Sequence, residues 1–84
     1  MIEENFHRGR VKSFSRAQRR GEILVERINR RAVFEWEDFW PRREPRRNEP
    51  VQFFLERNPM GQLLAFGVRA IEDRQRPRGP GRFR

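Results

Sequence analysis

The chain has 84 residues, a formal net charge of +8 and no cysteine. Its length predicts one domain with a modest core, and the lack of cysteine excludes a disulfide framework and thiolate metal sites. With His7 as the one histidine, neither a His-based metal site nor a histidine-centred triad is expected. No apolar run approaches membrane-spanning length, and the acidic, polar start is unlike a secretory signal, so we expect a cytoplasmic protein.

The basic side chains outnumber the acidic ones by 20 to 12, and nineteen of those 20 are arginine. The planar guanidinium forks onto phosphate and stacks on bases, and a strong positive balance attracts polyanions. This balance favours nucleic acid as the partner. The alternative is that the charge only keeps a small domain soluble.

The first predicted elements are an arm at residues 1–8 and a hairpin with strands at 9–15 and 20–27. Apolar and polar side chains alternate there around a basic turn, which is typical of a half-buried hairpin. One face would bury Val11, Ile23 and Val25. The opposite face presents Arg10, Lys12, Arg20 and Glu22 to water.

A turn at Asn29, a residue that tolerates a left-handed backbone, leads to a third predicted strand at 31–38. Phe34 and Trp36 share one face of it. Burial of bulky rings favours the inside of the domain, whereas a nucleic-acid surface would need them outside, and both interpretations stay open. Residues 42–50 hold two prolines and four arginines and predict a long exposed loop. It is either a solvated connection or a pair of arginine clamps for phosphate.

Two further strands are predicted at 51–57 and 62–71, joined by a strong turn signal at 58–61. A helix over 62–73 is the competing interpretation, but Gly67 and the β-branched residues argue against it. Residues 74–84 hold five arginines and little apolar surface, so we predict a disordered basic tail. Such a tail either binds anionic strands or only aids solubility.

Five short strands without a convincing helix predict an all-β domain at 9–73, a small five-stranded antiparallel barrel in which closure removes exposed edges. An SH3-like barrel is the main rival. Nine side chains would fill the centre: Val11, Ile23, Val25, Val51, Phe53, Leu55, Leu64, Phe66 and Val68.

Five segments carry a resemblance to a known family: RVKSF at 10–14, RRGEILVE at 19–26, VFEW at 33–36, PVQFFLE at 50–56 and GQLLAFGV at 61–68. They are similar to the opening K-V-K-W-F, the two ribonucleoprotein motifs K-G-F-G-F-I and V-F-V-H-F, and the last hairpin of the bacterial cold-shock domain. Residues 9–72 therefore resemble that family. The resemblance implies an oligonucleotide-binding (OB) barrel whose exposed aromatic side chains on the first three strands stack on bases.

The departures from the family pattern fall on its binding face. Ser13 stands where the family has its opening tryptophan, and Arg20 and Glu22 replace the two phenylalanines of the first motif. In the second motif Trp36 replaces histidine and Glu37 replaces the last phenylalanine. Since each stack of a base on an aromatic ring contributes about 1–3 kcal/mol, arginine charge must replace these stacks, or the surface serves a protein partner.

The sequence thus predicts a nucleic-acid-binding protein for single-stranded RNA or DNA with low sequence specificity. The predicted site combines cations for phosphate with aromatic rings for bases: Arg10, Lys12, Phe14, Arg20, Phe34, Trp36, Arg42, Arg43, Arg46 and Arg47. The alternative is a protein-interaction module, in which a dimer is one form. Its candidate anchors are apolar residues without a certain place in the core: Phe39, Trp40, Phe54 and Leu63.

We predict neither an enzyme nor a protein that needs a cofactor. No glycine-rich phosphate loop, nucleophile elbow or metal-ligand spacing is found in the sequence. The acidic cluster of Glu35, Glu37 and Asp38 could hold a divalent cation, but such clusters more often pair with neighbouring arginines.

Overall fold

The chain is a β-barrel in the computed structural model, which describes residues 6–71. Six strands lie in this part: β1 His7–Ser15, β2 Arg20–Val25, β3 Arg30–Glu35, β4 Phe39–Trp40, β5 Pro50–Arg57 and β6 Leu63–Ala70. One 3-10 turn, Trp36–Asp38, separates β3 from β4. No helix within residues 6–71 has the length and apolarity needed to span a membrane.

The strands form one sheet in the order β3-β2-β1-β5-β6-β4, and a parallel pairing of β3 with β6 closes it. β1, β2 and β3 form an antiparallel meander, and β5 and β6 form a hairpin joined to β1 through β5. Because β1 lies between β2 and β5, this is the Greek-key order of the OB fold and not a simple meander. This strand order confirms the predicted small five-stranded barrel. The two-residue strand β4 is an addition to that barrel and pairs with β6.

The core contains most of the predicted side chains. Seven of the nine are buried: Val11, Ile23, Val25, Val51, Phe53, Leu55 and Val68. The prediction was wrong for Leu64 and Phe66, which are half-buried on the outer face, while Leu63 and Ala65 are in the core.

A β-bulge at Gly67 explains that exchange. The register between β5 and β6 shifts beyond Gln52, so Gly67 and Val68 together oppose one residue of β5. Gly67 has a positive φ of 56°, the left-handed conformation that glycine adopts at such bulges. The extra residue inverts the alternation, because odd-numbered positions face inward before the bulge and even-numbered positions face inward after it.

The element boundaries differ from the predicted ones by one to three residues. β1 begins at His7, so the last two residues of the predicted arm belong to the barrel. β2 ends at Val25, because residues 26–29 form the turn in which Asn29 has the expected positive φ, 55°. β3 ends at Glu35, where the 3-10 turn replaces the end of the predicted strand. The predicted tail and residues 1–5 lie outside the described residues.

Candidate nucleic-acid interface

The outer face of β1, β2 and β3, where the sequence predicts that Arg10, Lys12 and Arg20 are exposed to water, carries a series of ion pairs. The register of β2 and β3 places Arg20 directly opposite Glu35. Three such pairs span the face: Arg20 Nη2 to Glu35 Oε2 at 3.1 Å, Arg31 Nη1 to Glu22 Oε1 at 2.8 Å, and Arg10 Nε to Glu26 Oε2 at 3.4 Å. A phosphate would have to compete with a carboxylate for Arg10 or Arg20, so these two predicted contacts are compensated within the fold.

Uncompensated cations and an aromatic ring meet instead in a groove between the second half of β1 and residues 41–49. Two hollows of about 270 Å³ and 440 Å³ form this groove and share Phe14. We call it the Phe14 groove; it is lined by Val11, Lys12, Ser13, Phe14, Arg16, Arg19, Trp36, Glu44, Pro45 and Arg47. A third hollow, on the β1–β2 face, also reaches Phe14, so the ring lies where three depressions converge.

Phe14 reaches this position because β1 is irregular and β2 has no side chain opposite it. The register of β1 against β2 shifts between Val11 and Ser13, which pairs Phe14 with Gly21. A Cβ on Gly21 would lie 2.4 Å from the Ser13 carbonyl oxygen and 2.8 Å from a ring carbon of Phe34. The missing side chain therefore lets Phe14 stack on Phe34 across β2, with ring centroids 6.3 Å apart.

Phe34 was predicted as a base-stacking residue, with its exposure left open, and it is in the core. Its side chain is 1% exposed and also packs against Phe39, with ring centroids 6.0 Å apart. It cannot meet a base from that position. The ring of Phe34 instead packs against the half-buried ring of Phe14 from the core side.

Trp36 lies at one end of the Phe14 groove and is held by two guanidinium groups. The Arg42 guanidinium lies 4.2 Å from the ring centroid and that of Arg19 lies 5.0 Å from it, within the range of cation–π attraction. The indole Nε1 donates to the main-chain oxygen of Arg43 at 3.3 Å. The indole is therefore oriented before any ligand arrives.

Arg19 has a carboxylate neighbour as well as the indole. Its Nη2 lies 3.0 Å from Oε2 of Glu37. The pKa of Glu37 lies below its ordinary value because its own main-chain N–H and then Arg19 donate hydrogen bonds to the carboxylate. Arg19 thus reaches the Phe14 groove as a partly compensated cation.

Two of the four predicted loop arginines have structural tasks. Arg42 Nη1 donates to the main-chain oxygens of Trp36, Glu37 and Phe39 at 3.1, 3.3 and 2.7 Å, and so fixes the 3-10 turn. Arg43 makes two hydrogen bonds to the Glu49 carboxylate, so the positive charge of Arg43 already has a carboxylate partner. Neither guanidinium is available as the simple phosphate contact that the sequence predicted.

The other two loop arginines remain exposed. Arg46 and Arg47 make no ion pair with a carboxylate in the part of the chain that the structure describes. Arg47 lines the same hollow as Lys12, whose Nζ donates to the side-chain oxygen of Asn48 at 3.0 Å. Lys12 and Arg47 are therefore the groove cations with no carboxylate partner among residues 6–71.

Sequence reasoning missed the three other charged residues that line the Phe14 groove. Arg16 and Arg19 lie in the turn between β1 and β2, and Glu44 lies in the facing loop. Arg16 Nε and Glu44 Oε2 are 2.8 Å apart, so an exposed ion pair joins the two walls. The available signal was the position of the basic turn directly after Phe14.

The acidic cluster that could have held a cation is occupied by protein groups. Glu35 and Glu37 pair with Arg20 and Arg19, and Asp38 Oδ2 accepts the main-chain N–H of Gly67 at 2.9 Å. Within residues 6–71 no group of three or more His, Asp or Glu side chains is arranged to hold a metal ion.

Comparison with known proteins assigns neither a family nor a function to this chain. No family model and no curated protein matches this sequence. The fold agrees with the OB barrel that the cold-shock resemblance implies, and membership of that family stays a prediction.

Proposed function

We propose that this chain binds single-stranded nucleic acid, RNA or DNA, in the Phe14 groove. The observation that carries the proposal is the convergence of three hollows on one half-buried aromatic ring flanked by cations. Bases stack on such rings, and phosphates are bound by lysine and arginine with release of counterions. A groove that offers both fits an unpaired strand.

A single strand fits better than a duplex because the ring is half-buried. Phe14 lines both hollows, with Lys12 and Arg47 along one and Arg16 and Arg19 along the other. A duplex keeps its bases stacked inside and presents phosphates first, so its bases would not reach a half-buried ring. We expect sequence-tolerant binding, weakened steeply by salt and limited by the small number of aromatic contacts.

The fold and the segment pattern support a divergent cold-shock domain as the family. OB barrels bind oligonucleotides on the face of their second and third strands and on adjacent loops. In this chain the β2–β3 face carries ion pairs. The proposed ligand path is therefore displaced to the β1–β2 turn and residues 41–49, beside the usual face.

A second candidate function is a protein-interaction module, favoured by one exposed indole. Of the four apolar residues predicted for such a surface, Phe39 and Leu63 are in the core. Phe54 is half-buried. Trp40 is 56% exposed and lines a hollow of about 390 Å³ with Arg69. Exposed tryptophan next to arginine is typical of interface anchors.

Fluorescence titration of a Trp40→Phe variant tests the proposed function, because the remaining indole, Trp36, lines the groove. The probes are single-stranded DNA and RNA of about ten nucleotides, within the site size of an OB fold, and a matched duplex, each at two salt concentrations. We expect saturable binding of the single strands that weakens with salt and exceeds duplex binding. Absence of binding at low salt would refute the proposal, and sedimentation of the wild-type chain at several concentrations would then test self-association.

A further inference from the structure

We propose that Glu44 makes the Phe14 groove prefer cytosine over thymine or uracil at the base stacked on Phe14. This inference rests on the proposed function and adds a base preference to it. Glu44 is the acidic side chain that lines both hollows of the groove. A carboxylate there repels phosphate, so its position suits contact with a base edge.

The acceptor capacity of Glu44 is only partly used. Its Oε2 forms an ion pair with Arg16 Nε at 2.8 Å, and both side chains are at least half exposed. An ionised carboxylate has two oxygens and about four acceptor sites. Oε1 makes no hydrogen bond within residues 6–71, so it can accept from a ligand while Arg16 stays in place.

The main chain at Glu44 is fixed on both sides. Arg43 Nη1 donates to the Glu44 carbonyl at 3.1 Å, and the next residue, Pro45, is buried. Arg43 is itself held by Glu49. The main chain that carries the Glu44 side chain is therefore constrained, which favours discrimination between base edges.

The chemistry of the two pyrimidines differs at one position of the ring edge. Cytosine presents an amino donor, N4, where thymine and uracil present an oxygen acceptor, O4, and carboxylates accept from cytosine N4. A carboxylate that faces O4 places two acceptors together without a proton between them. Ring size is the same in the three bases, so stacking on Phe14 does not by itself separate them.

A competition experiment with oligo-dC and oligo-dT of equal length at neutral pH tests the inference. The wild-type chain is compared with Glu44→Gln, whose amide both donates and accepts, and with Glu26→Gln. Glu26 is a matched control because its side chain is also half exposed and paired with an arginine, Arg10, and neither residue lines the groove. We expect the wild type and Glu26→Gln to prefer dC by about tenfold, and Glu44→Gln to lose this preference.

A third variant separates base contact from the ion pair. Arg16→Gln removes the cation but leaves the carboxylate, so we expect weaker binding of both oligonucleotides with the dC preference retained. Equal binding of dC and dT by the wild type, or an unchanged preference in Glu44→Gln, overturns the inference while binding itself stands. Failure to bind either oligonucleotide overturns the proposed function and the inference with it.

Discussion

Arg43 holds the carboxylate of Glu49 with two parallel hydrogen bonds, Nη2 to Oε1 at 2.8 Å and Nη1 to Oε2 at 3.0 Å. The Glu49 side chain is only 12% exposed, and its carboxylate also accepts the main-chain N–H of Arg46 at 2.7 Å. The neighbouring Asn48 N–H donates to the Val11 oxygen at 2.6 Å, which ties the segment to β1. Residues 41–49 are thus a fixed wall of the groove and not a solvated connection.

Replacement of Glu49 by glutamine should lower the free energy of unfolding by about 1–3 kcal/mol, because it leaves a shielded guanidinium without its charge partner. Glu26→Gln is the control, since its pair with Arg10 is half exposed on both sides and such pairs contribute about 0–1 kcal/mol. Urea denaturation of both variants at neutral pH measures the difference. Equal losses would contradict the assignment of Glu49 as the anchor of the wall.

The same carboxylate should make stability depend on pH. Burial raises the pKa of Glu49, but hydrogen bonds from the Arg43 guanidinium and the Arg46 N–H outweigh it, so the pKa lies below its ordinary value. The resulting stability is fully present above the unfolded pKa, about 4.3, and is lost as pH falls through the folded value. We therefore expect the gap in unfolding free energy between wild type and Glu49→Gln to narrow below about pH 4.5. Urea denaturation at several pH values checks this, and a constant gap would count against it.

The sequence was informative about the fold because period-two alternation and turn residues are local. They predict the barrel and most of its core. These local signals do not reveal a bulge. Because of the bulge at Gly67, the side chains predicted to face inward in the first half of β6 face outward, and those predicted to face outward are in the core. A glycine inside an apolar strand was the available sign of it.

The site was less predictable because charge compensation depends on register between distant segments. Arg20 and Glu35 are fifteen residues apart in sequence and become direct neighbours only when β2 and β3 pair. Arg43 and Arg47 look alike in sequence, yet one is bound by Glu49 and the other faces the groove. Composition therefore predicts a basic protein without indicating which arginines are uncompensated.

Gly21 should tolerate no side chain. A methyl group there would approach the main-chain oxygen of Ser13 to 2.4 Å and the Phe34 ring to 2.8 Å, so we expect Gly21→Ala to destabilise the fold by about 1–3 kcal/mol through overpacking. Gly61→Ala is the control, because nothing lies within 4 Å of its added Cβ and the cost is limited to its positive φ. Thermal unfolding followed by circular dichroism compares the two. A larger loss in Gly61→Ala would be inconsistent with the packing described for Phe14 and Phe34.

Arg47 should contribute to the salt dependence of binding, and Arg57 should not. Both are exposed arginines without an ion pair among residues 6–71, but Arg57 ends β5 at the opposite end of the barrel from the Phe14 groove. Each phosphate contact to a single strand adds about 0.7 to the slope of log K against log salt, so Arg47→Gln should reduce the slope by about that amount. Titrations at four salt concentrations measure it. An equal effect of Arg57→Gln would indicate diffuse attraction and no defined groove.

Loss of the Phe14 ring should weaken single-strand binding more than loss of a ring elsewhere. Phe14→Leu removes a stacking surface worth about 1–3 kcal/mol per base, which corresponds to a Kd raised by about five- to 150-fold. Phe66→Leu is the matched control, because Phe66 is also half-buried but lies on β6, outside the groove. Competition with a labelled oligonucleotide, below the unfolding transition of both variants, gives the two constants. Phe14→Trp should retain binding, since an indole also stacks; equal weakening in Phe14→Leu and Phe66→Leu would refute Phe14 as the stacking residue.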